Sequence, residues 1–123
     1  MKTYMNETTM NLVNNAISDF NRRASKLDTI FCHQFDALKR ILIRDTASVI
    51  SDLSCAERVG CISHDEFVGI YGDIERMRND AISAVKNAEF DRLGEREYTI
   101  RYTMYAFDYT REKAEQSYEE DWE

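Results

Sequence analysis

The sequence predicts an all-α protein: a small helical bundle with a long N-terminal helical region, assembled as an oligomer. Three observations carry this. Proline is absent and there are only four glycines, Gly60, Gly69, Gly72 and Gly94, whereas all-β folds need frequent turn punctuation. Apolar residues recur at helical steps over most of the chain. A chain of 123 residues, 43% of them apolar, has the size of one domain and can bury a core without staples. No internal repeat, low-complexity stretch or linker divides it, so residues 1–123 are read as a single helical domain.

The first element is the longest. Val13, Ile17, Phe20, Ala24, Leu27, Phe31, Phe35, Leu38, Leu42, Val49, Leu53 and Ala56 recur at steps of three, four or seven. At about 100° per residue they form one stripe. A single helix over residues 8–58 would be ~75 Å long, and Ser25-Lys26-Leu27-Asp28 has the pattern of a capping box, so a break near Lys26 is the alternative. Gly60 ends this region. Ser63 then caps a helix whose first turn holds Asp65 and Glu66, favourable at the positive end of the helix dipole. Phe67, Ile70, Ile74, Met77, Ala81, Ala84 and Ala88 carry it to about Leu93, and Gly94 is a natural stop.

Residues 97–110, EYTIRYTMYAFDYT, favour a strand by propensity. No other segment offers a strand to pair with, and a lone strand leaves its backbone groups unsatisfied. Drawn as a helix the segment sorts into two faces. Ile100, Met104, Phe107, Ala114, Tyr118 and Trp122 form an expected core face, and Tyr98, Tyr102, Tyr105 and Tyr109 the opposite one. The alternative is a strand that pairs with another chain. In the helical reading the N-terminal region packs antiparallel on the Ser63–Leu93 helix, and the tyrosine-rich helix closes the bundle.

Composition removes several function classes. No apolar run approaches the ~20 residues of a membrane span, and MKTYMNETTMN lacks the apolar core of a secretory signal. Cys32, Cys55 and Cys61 are an odd set that suits reduced thiols in the cytoplasm. The net charge is −7, of which residues 112–123 carry −5 (six acids, one lysine), leaving −2 for the rest. A nearly neutral body with an acidic C-terminal tail does not suit duplex DNA, which calls for a basic footprint. Catalysis finds no support: His33 and His64 stand in no nucleophile–base pattern, and there is no phosphate-binding loop or G-x-S-x-G turn. Cys55-x5-Cys61-x2-His64, with Cys32 or Asp65 as a fourth ligand, is poorly spaced for zinc. Cys55 and Cys61 are instead expected as small core residues, and neither metal nor cofactor is expected.

Two surfaces remain. Tyr98, Tyr102, Tyr105 and Tyr109, with Glu119, Glu120, Asp121 and Trp122 of the tail, are the expected partner-binding residues, since tyrosine is enriched at binding hot spots. The bland reading of the tyrosines is burial between two helices, and of the tail a solubilising frayed end. On the N-terminal region Arg22, Lys26, His33, Arg40 and Arg44 fall within about 40° of one another if the helix is continuous. Such a line would hold phosphates, although an amphipathic helix must carry charge on its outer face in any case. The function expected is therefore a non-enzymatic protein-binding module and homo-oligomer whose partner is a protein, a nucleic-acid-binding one in particular. An inhibitor of a host defence nuclease (CRISPR-type or restriction), encoded by a phage or mobile element, fits its size and charge. The alternatives are a nucleotide- or single-strand-binding protein using Arg22, Lys26, Arg40 and Arg44, and a purely structural helical oligomer.

Overall fold

The apolar stripes form α1 (Glu7–Ala24), α2 (His33–Arg58) and α3 (His64–Leu93), which pack on one another in the computed structural model of the chain, where residues 7–121 are described. Their buried side chains make two layers. Val13, Val49, Leu53, Ile70 and Ile74 form one, and Phe20, Ala24, Ile30, Phe35, Leu42 and Ala81 the other. Early residues of each helix meet late residues of the next, so neighbouring helices run antiparallel. Thr46 is fully buried; its hydroxyl donates to the carbonyls of Leu42 at 2.9 Å and Ile43 at 3.1 Å. That back-bonding satisfies a polar group in an apolar place.

The N-terminal region is two helices. A continuous one would expose its apolar stripe along its whole length, while folding back buries the two halves on each other; the Phe20 and Phe35 rings meet at 5.9 Å. The break falls near Lys26, but Ser25 is not the cap of the second helix. Its hydroxyl donates to the Arg22 carbonyl at 2.7 Å and closes α1. The N-cap of α2 is Cys32, whose Sγ accepts the Phe35 N–H at 3.4 Å.

The connection between α1 and α2 is pinned from α3. Glu89, only 7% exposed, accepts the Ile30 N–H at 3.0 Å. Arg92 donates to the same carboxylate and, at 3.2 Å, to the Asp28 carbonyl. Burial pushes the Glu89 carboxyl up, but the Arg92 and Ile30 hydrogen bonds outweigh it and hold the group below its ordinary range.

Ser63 caps α3, accepting the Glu66 N–H at 3.1 Å. Gly94, at φ 82°, ends α3 and opens α4 (Glu95–Phe107), a turn that favours a residue without Cβ. Residues 95–107 are thus helix, and no strand occurs among the described residues. Asp108, left-handed at φ 55°, then reverses the chain into α5 (Arg111–Asp121), whose first turn is capped by the Thr110 hydroxyl accepting the Lys113 N–H at 3.2 Å. Most of the acidic tail is therefore ordered helix; Trp122 lies outside the described residues.

Two further expectations are corrected. Cys55 and Cys61 are exposed rather than core, because they flank the C-terminal end of α2 and the turn after it; both thiols and that of Cys32 are free. Phe107 is 61% exposed rather than core, because the chain turns at Asp108 immediately after it and the Tyr109 ring, 5.7 Å away, covers it only in part. Among the described residues no helix is long and apolar enough to cross a membrane.

Candidate functional site

The C-terminal hairpin is built on α4, whose two faces have different tasks. The tyrosine face is the seam that docks α4 on the body. Tyr98 is half-buried between Phe31 (ring centroids 5.1 Å apart) and Phe90 (5.2 Å). Tyr102 meets Phe31 at 6.2 Å and stays half exposed. The Tyr105 hydroxyl donates to Asp36 Oδ2 at 2.5 Å, and His33 Nδ1 lies 3.1 Å from the Tyr105 hydroxyl oxygen. The bond to Asp36 pushes the Tyr105 phenol up to about 12 and holds Asp36 below its ordinary range. Tyr105 is thus a committed proton donor, suited to holding α4 against the start of α2 and not to acting as a base.

Tyr109 does not belong to the stripe. It follows the left-handed Asp108, outside α4, with its ring 5.7 Å from Phe107 and Lys113 Nζ 4.2 Å from its centroid. The four-tyrosine alignment expected of a continuous helix therefore has three members, turned toward the body.

The other face of α4 carries α5, which packs on no other helix. Ile100 and Ala114 are fully buried. The remaining ties are charges. Glu97 accepts Arg111 Nη1 at 2.9 Å, Arg111 Nη2 at 2.5 Å and Arg101 Nε at 2.8 Å. Arg111 Nε also meets Glu115 at 3.4 Å, and Arg96 reaches Glu115 at 3.4 Å and Glu119 at 3.6 Å. The Arg111 and Arg101 hydrogen bonds lower the Glu97 carboxyl to about 2, and the bond to Glu97 raises Arg111. Glu112, Glu119 and Glu120 face solvent. Residues 95–121 hold eight acids against four bases, a net of −4.

The basic line does not form. Arg22 sits on α1 and pairs with Asp19, Lys26 lies in the connection, and Arg40 and Arg44 lie on α2, where Arg44 holds Asp45 at 3.2 Å. The alignment required a continuous helix, and folding back removes it. Near the weak metal pattern, His64 Nδ1 meets Glu57 Oε1 at 2.6 Å. Among the described residues no group of three or more His, Cys, Asp or Glu is arranged to hold a metal ion.

Sequence reasoning missed Glu89, Asp36 and Glu97. Glu89 had a signal: it follows Ala81 and Val85 in steps of four, a carboxylate on the buried phase of α3. Glu97 had a weaker one, Arg101 four residues on. Nothing local marks Asp36, whose partner is 69 residues away. Comparison with protein-family models, with curated proteins and with solved structures finds no match.

Proposed function

We propose that the protein is a non-catalytic protein-binding module of the cytoplasm whose α4–α5 hairpin offers an acidic surface with aromatic side chains to a basic protein partner. The observation that carries this is the mounting of α5. An isolated helix of 11 residues is marginal in water, and among the described side chains of α5 only Ala114 is fully buried. The helix is nevertheless held on α4 by the ion pairs of Glu97, Arg96 and Arg111, with Glu112 and Glu120 outward. A carboxylate array on an already ordered helix binds at lower entropic cost than the same acids on a loose tail. Exposed Phe107, at the turn between the two helices, stands on the same hairpin as an apolar anchor. Three free thiols suit a reducing compartment.

Such an array resembles the charge spacing of nucleic-acid phosphates, so the partner class favoured is a nucleic-acid-binding protein. Inhibition of a host defence nuclease by a phage- or mobile-element-encoded chain is the narrow form of this reading. Glu112→Lys with Glu120→Lys tests it, since both residues are exposed and neither belongs to the ion pairs that hold α5 on α4. Bait of each type immobilised in host extract should differ in one respect: a basic protein retained by the parent chain, released by salt, is absent from the variant. Equal retention by both baits would sink the proposal.

A further inference from the structure

The outer face of α3, opposite the side that buries Ile70 and Ile74, has no partner among the described residues between His64 and Asn79. Val68, at the edge of that face, is 53% exposed. Beside it lie Gly69 and Gly72, inside the helix, where a Cβ at either would meet nothing within 4 Å. Glycine is a poorer helix former than alanine, and no contact within the chain calls for its small size. Asp65, Gly69, Gly72 and Arg76 follow at steps of four, three and four, so they share one side of the helix. Asp65 makes no ion pair among the described residues, and Arg76 is exposed, holding only the neighbouring Asp73 at 2.6 Å.

This face is charge-complementary to itself. Gly69 and Gly72 are equidistant from the point between Ile70 and Tyr71, and so are Asp65 and Arg76. A two-fold axis through that point, with the helices antiparallel, sets Gly69 of one copy on Gly72 of the other and pairs Asp65 with Arg76 twice. A parallel copy in register would instead set Asp65 on Asp65 and Arg76 on Arg76. We propose that α3 is the contact of an antiparallel homodimer, crossing at Gly69 and Gly72. The absence of Cβ atoms there lets the helix axes approach to about 8 Å. Val68 is covered at the flank, and the Asp65–Arg76 pairs set direction and register. The interface is isologous, as two-fold contacts must be, and it leaves the α4–α5 hairpin free.

Sedimentation velocity of the full chain, from dilute to concentrated, should show a monomer–dimer equilibrium. Gly69→Leu should abolish the dimer with the helical circular dichroism unchanged. Gly72→Ala should give opposite signs, a higher melting temperature for the dilute monomer and a weaker dimer. Asp65→Arg and Arg76→Asp should each weaken association about tenfold, and their combination should restore it. Glu112→Lys with Glu120→Lys should leave the dimer intact, which separates this contact from the proposed partner surface. A parent chain monomeric at every concentration would overturn the inference. A dimer indifferent to Gly69→Leu, or one not restored by the charge exchange, would do the same.

Discussion

The three-helix body and the α4–α5 hairpin are both helical, yet different forces hold them. In the body, two apolar layers draw side chains from every helix, and the one charge in them, Glu89, is tied to a guanidinium and a backbone N–H. In the hairpin, full burial is confined to Ile100 and Ala114, and a phenol hydroxyl and a chain of ion pairs do the rest. Apolar burial changes little with pH or salt, whereas exposed ion pairs weaken with both. The hairpin is therefore the part whose position solution conditions, or a charged partner, can alter.

The largest expected effect lies in the body. Leu42→Ala empties a fully buried site between helices and should cost about 2–5 kcal/mol, read from urea unfolding as a loss of the whole transition. Glu89→Ala comes next, at about 1–3 kcal/mol, because the buried Ile30 N–H loses its acceptor. Amide exchange should then speed up in the connection between α1 and α2 before it does in the helices.

Acid sharpens the contrast between the two regions. The Glu97 carboxyl is lowered in the folded chain from 4.5 to about 2, so its contribution is complete above the unfolded value. It is lost as pH falls from 4.5 toward about 2. Over that interval, NMR signals of α5 should shift while the methyl groups of Val13 and Ile74 stay in place. Movement of both sets together would mean that hairpin and body are one cooperative unit. The smallest effect belongs to Phe107→Ala, below about 0.5 kcal/mol despite the size of the side chain, because it is 61% exposed. A thermal melt that drops by several degrees would place Phe107 in a covered contact.

Local chemistry was enough to show the all-helical class, the Ser63 cap, the extent of α3 and most of the side chains lining the body, since a helix announces its buried face by period; the expected α3 stripe drifts off that face at its end, where Ala84 and Ala88 are exposed while Val85 and Glu89 are covered. The period even pointed at Thr46, midway between Leu42 and Val49, where only its polarity disguised a core position. Tertiary structure alone decided what depends on distant partners. The stripe from Val13 to Ala56 keeps its phase whether the chain runs on or folds back, so the choice rests on contacts between distant residues: Phe20 on Phe35, and Glu89 gripping Ile30 from 59 residues away. The face of α4 that turns inward was equally hidden. Both faces are apolar or aromatic, and the choice went to the tyrosines because Phe31 and Asp36 stand where rings can pack and a hydroxyl can donate. Periodicity states that a face will be covered; which neighbour covers it is set by contacts between residues far apart in the chain.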